Sequence, residues 1–377
     1  MSLQTSVIPA NYESEAAFLQ GVERFVQDYV LPNTRAWEAD RLPDDVFRRS
    51  AEVGLMGMTV PREMGGNEVS CVAYCEACRL VATGDPALSM NLAAINALCL
   101  GHLVELTTPE QREKYLGRAV RAEIELAWGL TEPDAGSDAR RVQTKATPIP
   151  GKEGFYHLNG QKMFITNGGR ADLIIMIART SETELSAFLM ETDQPGFKLG
   201  PRIPTIGVQA SWTSQFELND AVAWHTPCTF EQAISFLGRG RLGIAAMALG
   251  IAEKAHELAV AYSKQREQFK RRLCDMQSVQ NFIADSEMEI EATRLLVRKG
   301  AEMFDRGEDV TKAASMAKLY ASETSNRVTN RAIQIHGGRG MTFEHLVEKL
   351  WRDAKLTEIG EGCSEIQRMV IAKQVCK

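Results

Sequence analysis

The last third of the chain carries apolar residues at helical spacing over long stretches that contain no proline. These stretches run from Leu242 to Ser263, from Gln277 to Phe304 and from Val310 to His336. Proline interrupts a helix because it lacks an amide hydrogen and clashes with the preceding turn, so each stretch can form many continuous turns. Long amphipathic helices bury their apolar faces against one another. We therefore predict a C-terminal helical bundle over residues 230–377.

The first 125 residues also show helical spacing, in shorter pieces that prolines separate. One stripe of apolar residues recurs at intervals of three and four near the start: Phe18, Val22, Phe25, Val26 and Tyr29. The prolines stand at plausible starts and ends of helices: Pro32, Pro43, Pro61 and Pro86. An N-terminal α-helical domain is therefore predicted over residues 1–125.

Between these helical regions, residues 126–229 have the sequence pattern of a compact β domain. Short apolar runs, separated by turn residues, predict strands over residues 172–178, 187–190, 197–199 and 215–218. Two further runs, Phe155–Leu158 and Gln161–Thr166, flank the dipeptide Asn159-Gly160. Because Asn-Gly favours a two-residue hairpin turn, we predict a β-hairpin there. The order is helical, β, helical, so the fold class is α+β with mostly α.

Composition and charge exclude several classes of protein. The 43 basic and 49 acidic residues give a formal net charge of −6, which argues against non-specific binding to nucleic acid. The apolar runs are too short to predict a membrane span, and the start lacks a secretory signal. Eight cysteines without a regular framework favour a reducing compartment. We expect a cytoplasmic protein, or a mitochondrial matrix protein in a eukaryote.

Two cofactor-like spacings have simpler explanations. Cys71, Cys75 and Cys78 match an iron–sulfur spacing, but these positions also share one face of a helix, where small apolar residues are expected. Gly238, Gly240 and Gly243 match a dinucleotide fingerprint, yet no second strand with an acidic residue follows. The favoured interpretations are a core helix for the cysteines and a helix that binds no nucleotide for the glycines. The six histidines show no paired metal-ligand spacing, so no metal site is predicted.

Four segments in fixed order carry a more specific signal. They begin at Trp128 (WGLTEPDAGSD), Gly160 (GQKMFITNG), Gln334 (QIHGGRG) and Trp351 (WRDAKLTEIGEGCSEIQR). Together they resemble the acyl-CoA dehydrogenase family over nearly the whole chain, least over the first hundred residues. The resemblance implies an N-terminal helical domain, a middle β-barrel-like domain and a C-terminal four-helix bundle.

The resemblance also implies a reaction and its base. The family uses FAD to convert an acyl-CoA to a trans-2-enoyl-CoA: a carboxylate removes the Cα proton while hydride leaves Cβ for flavin N5. Glu361 occupies the base position of the family's EG(T/S)xxIQR motif. Some members carry the base immediately before the arginine that is Arg241 here, but this chain has Gly240 at that position. Glu361 is therefore the predicted catalytic base.

The remaining site residues are also carried over from the family. The flavin ring is expected against Trp128, Leu130, Thr131, Gly136 and Ser137, with Phe164 and Thr166 on its other side. Contacts to the rest of FAD are expected from Arg266, Phe269, Gln277, Gln334, Gly337, Gly338, Cys363 and Glu365, some of them from a neighbouring subunit. The substrate is expected to contact Ser137, Arg241, Gly360 and Gly362.

The family further implies partners and rival functions. The expected partners are an acyl thioester, with coenzyme A as its carrier, a homotetrameric assembly, and an electron-transfer flavoprotein or similar acceptor, in a role such as fatty acid metabolism. The rivals are a member with altered chemistry, such as an oxidase, a reductase or a carrier-protein-linked enzyme, and a silent flavoprotein scaffold. A nicotinamide enzyme with a Rossmann domain is a distant third.

The chain departs from the family pattern near the expected substrate site. Gly360 stands where an aromatic residue often precedes the base, and Gly238 replaces an aspartate that helps to hold the pantetheine arm. Residues 224–230 lack the usual glycine-rich turn, and Trp212 replaces a small acidic residue. Two interpretations stay open: a preference for a bulky, branched or unusually carried acyl group, or drift in an ordinary fatty acyl-CoA enzyme.

Overall fold

The computed structural model describes residues 12–376 of the chain. Residues 1–11, on which the predicted absence of a secretory signal partly depends, and Lys377 lie outside this range. The described residues follow the predicted order of helical, β and helical regions. The fold is the expected three-part arrangement, with a closed β domain between two helical ones.

Seven helices form the N-terminal region. They are α1 (Glu15–Phe25), α2 (Leu31–Ala39), α3 (Val46–Glu52), α4 (Cys71–Gly84), α5 (Pro86–Ala94), α6 (Gly101–Glu105) and α7 (Pro109–Val120). Local chemistry sets several of the starts. The Ser70 hydroxyl accepts a hydrogen bond from the Ala73 amide at the start of α4, and Thr108 and Gln111 form a capping box at α7. Cys71, Cys75 and Cys78 are buried on α4, which confirms the core-helix interpretation.

The β domain contains seven strands. They are β1 (Leu126–Gly129), β2 (Lys145–Pro148), β3 (Phe155–Ile165), β4 (Leu173–Arg179), β5 (Leu185–Glu191), β6 (Phe197–Arg202) and β7 (Ser214–His225). Strands β4, β2, β3, β7 and β5 follow one another, and β5 pairs back with β4, so the sheet closes. β1 runs parallel to β4 with Trp128 opposite Ile175, and β6 pairs with β7. The predicted barrel-like domain is confirmed.

The predicted hairpin at Asn159-Gly160 is wrong. β3 is one continuous strand, because β7 pairs with it on both sides of this dipeptide, with a shift in register between Leu158 and Gly160. The Asn159 side chain exchanges hydrogen bonds with Asp220 on β7, and an added Cβ on Gly160 would lie 2.7 Å from the Thr144 Cα. Asn-Gly therefore lies within a strand, opposite a β-bulge on β7, where Asn219 and Asp220 face the single residue Asn159.

Six helices and a small hairpin follow. They are α8 (Phe230–Ser235), α9 (Leu237–Gln265), β8 (Glu267–Gln268), β9 (Arg271–Arg272), α10 (Gln277–Asp305), α11 (Thr311–His336), α12 (Val347–Ile359) and α13 (Ser364–Val375). Helices α9 to α12 pack together as the predicted bundle, and α4 packs on α9. The three glycines of the fingerprint-like spacing lie inside α9, so the rejected dinucleotide motif is a stretch of helix.

A buried ionic cluster joins the three parts of the fold. Lys349 on α12 donates to Asp353 at 2.6 Å and lies 3.3 Å from Asp85 of the N-terminal region. Asp353 accepts a hydrogen bond from the Val208 amide of the β domain. Because removing one partner of a buried pair leaves an uncompensated charge, such clusters hold their elements in register. This cluster fixes α12, which leads directly to Glu361.

Two helical stretches, Pro86–Glu105 and Phe230–Gln265, are long and apolar enough to cross a membrane by length and composition alone. No membrane span was predicted from the sequence, because the apolar runs considered there are shorter than these helices. Within the most apolar windows of the two stretches, 89% and 72% of residues are buried inside the fold. This burial is the pattern of core helices, and length and composition are weak evidence for a span.

Candidate active site

Glu361 lies in a sharp turn between α12 and α13. Glu361 and Gly362 both adopt left-handed backbone conformations, with φ of 54° and 94°, which is costly for a residue that has a Cβ. Residues 360–363 form this turn, the base loop, and side chains from neighbouring helices hold it. Gln367 donates to the carbonyls of Glu361 and Gly362 at 3.3 and 2.8 Å. Lys318 of α11 donates to the Gly362 carbonyl at 2.7 Å.

One oxygen of the Glu361 carboxylate rests against the backbone of α9. This oxygen, Oε2, is buried and has no hydrogen-bond partner among the described residues. An ideal Cβ on Gly240 would lie only 2.2 Å from that atom. Burial raises the pKa of Glu361 to about 7, although the positive charges of Arg241 and Lys318 act in the opposite direction. The predicted base is therefore protonated or ionised with comparable ease near neutral pH.

Arg241 and two α4 side chains complete the surroundings of the carboxylate. The Arg241 Nε is buried without a partner among residues 12–376, and burial lowers the pKa of its guanidinium while Glu361 raises it. Burial raises the pKa of the Tyr74 hydroxyl and of the Cys78 thiol, and the charge of Glu361 adds to both shifts. Tyr74 and Cys78 thus stay neutral, and two cations, Arg241 and Lys318, face the carboxylate.

The β domain contributes a second wall, built from the ends of β1 and β3. The Met163 amide donates to the Thr131 carbonyl at 2.9 Å, which brings Phe164 and Thr166 next to the residues that follow Trp128. Phe164 is 56% exposed and has a left-handed φ of 57°. A large exposed aromatic ring held in this way suits contact with a flat partner. The structure thus brings together the two groups predicted to flank the flavin ring.

A buried ion pair that sequence reasoning missed supports this wall. Lys162 donates to Glu132 at 2.9 Å and to the carbonyls of Leu130 and Ile177 at 3.0 and 2.7 Å. Burial lowers the pKa of Lys162 to about 8, against the effect of Glu132. The pair fixes the segment that carries Leu130 and Thr131. The signal available was that Glu132 and Lys162 each lie within one of the four family segments.

One contact links the β domain to the base loop. The Ser137 hydroxyl lies 3.7 Å from the Cys363 thiol, so Gly136 and Ser137 stand beside the loop that carries Glu361. Gly360 and Gly362 flank Glu361 in sequence, and Glu365 is exposed in the first turn of α13. The predicted substrate and flavin-ring residues therefore converge where the bundle meets the β domain.

The other predicted FAD residues lie elsewhere on the surface. Arg266 ends α9, Phe269 is 90% exposed in the β8–β9 hairpin, and Gln277 begins α10. Gln334 lies in the last turn of α11, before Gly337 and Gly338. Tyr262 stacks on His336 with ring centroids 4.3 Å apart, which places the end of α9 beside these glycines. No contact in residues 12–376 joins this group to Glu361, so binding from a neighbouring subunit stays a prediction.

The arrangement fits FAD on observations of this chain alone. The Trp128 indole N–H is buried and has no partner among the described residues, so it is free to donate to a ligand. Space beside Gly136, Gly337 and Gly338 is open, since a Cβ added there would meet nothing within 4 Å. Phe164 offers an exposed ring. In residues 12–376 no cluster of three or more histidine, cysteine or acidic side chains could hold a metal ion.

The chain is similar to acyl-CoA dehydrogenases over nearly its whole length. The sequence matches the profiles of the acyl-CoA dehydrogenase N-terminal domain over residues 12–123, middle domain over 127–221 and C-terminal domain over 230–376. It is 37% identical over 371 residues to a probable acyl-CoA dehydrogenase, YngJ, of Bacillus subtilis, covering 94% of this chain and 96% of that one. Other relatives are named as reductases of acrylates or acryloyl-CoA.

Solved structures show the same fold. Butyryl-CoA dehydrogenase from Megasphaera elsdenii superposes with a TM-score of 0.92 at 34% identity, over 100% of both chains. A structure of PigA with FAD and proline superposes with a TM-score of 0.91 at 28% identity, over 97% of this chain and 98% of that one.

Proposed function

Since the chain belongs to the acyl-CoA dehydrogenase family of FAD-dependent oxidoreductases, we propose that it removes the α and β hydrogens of an acyl thioester, with Glu361 as the base. The product is the trans-2-enoyl thioester. FAD, when bound, supplies the acceptor for the hydride that leaves Cβ. The residues that would hold the flavin ring are those around Trp128 and Phe164, and Ser137 and Cys363 join them to the base loop.

One observation carries this proposal. The Glu361 Oε2 atom is buried and has no hydrogen-bond partner in the described part of the chain. At this oxygen the carboxylate has no hydrogen bond to lose when it takes up a proton, and burial raises its pKa to about 7. General-base catalysis is most efficient when the pKa of the base lies near the working pH. Glu361 therefore suits abstraction of a weakly acidic Cα proton.

The cations beside Glu361 support the same step. As the proton leaves Cα, negative charge develops on the thioester carbonyl, and fixed positive groups in a water-poor site stabilise such charge strongly. Arg241 and Lys318 provide that positive potential. Gly362, between Glu361 and Cys363, leaves room for close approach of the substrate, because it lacks a side chain.

The test is the variant Glu361→Gln, which keeps the size of the side chain and removes its basicity. We expect FAD content and the far-UV spectrum to match those of the parent protein, and turnover to fall by about 10²–10⁴-fold. Glu323→Gln is the matched control, since Glu323 forms a surface pair with Arg368, and such pairs contribute little. Substrate-dependent bleaching of the flavin gives the readout. A Glu361→Gln protein that still bleaches at the parent rate would contradict the assignment.

The same site could act in reverse, because several relatives are named as reductases. Protonated Glu361 would then donate its proton to Cα of an enoyl thioester, and FAD, when bound in its reduced form, would supply the hydride to Cβ. A pKa near 7 makes both protonation states of Glu361 accessible. Comparing initial rates for acyl and enoyl thioesters at one pH separates the two directions. A protein that binds FAD but reacts with neither would be the silent scaffold.

The electron acceptor and assembly complete the proposal. One structure with the same fold carries the description of an electron transferring flavoprotein of Acidaminococcus fermentans (TM-score 0.93, 34% identity, 97% of this chain and 98% of that one). We propose such a flavoprotein as the acceptor, and a homotetramer as the assembly that brings Arg266 and Phe269 to a neighbour's FAD. Coenzyme A is the proposed carrier of the acyl group.

A further inference from the structure

Lys318 is one of the largest fully buried side chains in the described protein. A buried ammonium is costly unless it is compensated. The other two lysines of this kind are compensated by carboxylates: Lys162 lies 2.9 Å from Glu132, and Lys349 lies 2.6 Å from Asp353. Lys318 instead donates to a backbone carbonyl, that of Gly362, at 2.7 Å. Its position thus calls for a reason other than a local salt bridge.

The carbonyl that Lys318 holds belongs to the base loop. Glu361 and Gly362 have φ of 54° and 94°, so the loop needs outside contacts to keep this conformation. Two donors meet at the Gly362 carbonyl: the charged Lys318 from α11, and the neutral Gln367 at 2.8 Å. They can be separated by experiment, because only one of them carries charge.

The charged surroundings of Glu361 are few. Arg241 faces it from α9 and Lys318 from α11, while Tyr74 and Cys78 on α4 stay neutral. Burial lowers the pKa of Lys318 to about 8, and the nearby Glu361, Cys363 and Glu358 raise it while Arg241 lowers it. Lys318 is therefore mostly protonated at neutral pH.

We propose that Lys318 is a positioning residue for the base: its ammonium holds the Gly362 carbonyl in the base loop and favours the ionised form of the Glu361 carboxylate beside it. This inference rests on the proposed function, in which Glu361 acts as a base. A lysine that served only to fill space would stabilise the fold without changing the protonation of Glu361. The two roles therefore differ in the pH dependence of the reaction.

The test replaces the charge while keeping the size of the side chain. In Lys318→Met, the acid limb of kcat/KM should move up by about one pH unit, as expected on losing a nearby opposite charge. At pH 7 this shift lowers kcat/KM about fivefold, and the rate should recover at higher pH. Lys318→Arg should keep the parent limb. Lys318→Gln retains a donor without the charge, and it carries the test if the methionine variant does not fold.

Gln367→Leu is the matched control, because it removes the neutral donor to the same carbonyl. It should lower the melting temperature without moving the acid limb. A second readout does not depend on turnover: the infrared C=O band of the protonated Glu361 carboxyl, identified by its loss in Glu361→Gln, should persist to higher pH in Lys318→Met and Lys318→Gln.

The outcomes separate this inference from the proposed function. If the parent protein dehydrogenates no acyl thioester, the proposed function fails, while the infrared titration still tests Lys318. If the parent is active, and both the acid limb and the infrared titration of Lys318→Met and Lys318→Gln coincide with those of the parent, Lys318 is only a packing residue. A shift of the limb in Gln367→Leu as large as in Lys318→Met would assign the effect to loop position alone, and would overturn the electrostatic role.

Discussion

Gly240→Ala tests the position of Glu361 with a single methyl group. An ideal Cβ at this site would lie 2.2 Å from the Glu361 Oε2, 2.8 Å from its Cδ and 3.0 Å from its Oε1. Ordinary contact between carbon and oxygen needs about 3.4 Å, so the carboxylate must move by about 1 Å. The carboxylate is the free end of a flexible side chain, and it therefore moves more readily than α9.

The substitution should affect stability and activity in opposite directions. Gly240 lies inside α9 (Leu237–Gln265), and replacing an interior helical glycine by alanine gains about 1 kcal/mol in helix propensity. Misplacing a catalytic group by about 1 Å costs about 10²-fold in rate. We expect an unchanged or slightly higher free energy of unfolding together with a kcat about a hundred times lower.

The assay combines urea unfolding with anaerobic flavin reduction by a thioester that the parent protein uses. Gly117→Ala is the control, because Gly117 lies in the unrelated helix α7 and its added Cβ would meet only the Arg121 side chain, at 3.3 Å. The control should gain stability and keep its rate. Parent-level flavin reduction in a folded Gly240→Ala protein would show that the reacting carboxylate does not rest against α9, and the assignment of Glu361 would then be wrong.

Three further outcomes follow from the same geometry. The pKa of about 7 at Glu361 places the acid limb of the parent kcat/KM near pH 7, with activity lost as pH falls, because the base must be ionised; a limb near 4.5 would contradict this. Since the folded pKa lies above the usual 4.5, the folded state binds the proton more tightly and loses stability as pH rises through that window. Glu361→Gln should therefore be more stable than the parent at pH 8 and not at pH 4, by urea unfolding. Arg266→Ala should lower FAD content and subunit association together, measured by sizing chromatography with flavin absorbance; a fully assembled and fully yellow variant would place Arg266 elsewhere.

The order of helical, β and helical regions could be predicted from the sequence, because proline-free helical stretches and short turn-bounded runs differ in period. Boundaries were less predictable. The helix predicted from Leu242 begins at Leu237. Gly238 and Gly240 lower the helix propensity of this first part of α9, and Gly240 is required where Glu361 approaches the helix. The continuation of β3 through Asn159-Gly160 was not predictable either, since the close approach of Thr144 to Gly160 depends on strand pairing.

The candidate site also contains residues that the sequence could predict and residues that it could not. Glu361 was predicted as the base from its motif, and the structure adds that its Oε2 atom is buried without a hydrogen-bond partner among residues 12–376. Lys318 was not, because a lysine within a helical pattern is usually solvated, and only the packing of α11 against the base loop shows it to be buried. Roles that depend on a neighbouring subunit, such as those predicted for Arg266 and Phe269, concern contacts outside a single chain.

Three of the departures from the family pattern, Trp212, Gly238 and Gly360, differ in their surroundings. Trp212 packs against Gly169, where an added Cβ would lie 1.9 Å from the indole Nε1, and Arg41 lies 4.9 Å above its ring. These contacts join Trp212 to Gly169 and Arg41, and neither residue belongs to the base loop. Gly238 has open space, with only Val310 within 4 Å of an added Cβ. Gly360 remains the departure nearest to the base.

Gly360→Tyr tests whether the missing aromatic side chain sets the substrate. Gly360 has φ of −62° and ψ of 148°, which any residue adopts, and an added Cβ would meet only Leu356 atoms, at 3.6 Å or more. Gly360→Tyr therefore introduces no backbone strain, and the added ring would occupy volume beside Glu361. We expect kcat/KM for branched or bulky acyl thioesters to fall about tenfold or more, while butyryl-CoA changes little.

Gly360→Ala is the matched control, since it adds a single methyl group on the same backbone. Parallel kinetics on butyryl-CoA, a branched acyl-CoA and a carrier-linked thioester decide between the two interpretations. If Gly360 creates the room for a large acyl group, the tyrosine variant discriminates among these substrates and the alanine variant does so only slightly. An equal loss on all three, or a parent protein that already prefers butyryl-CoA, would mean that the volume beside Glu361 is unused and that the departure at this position is drift.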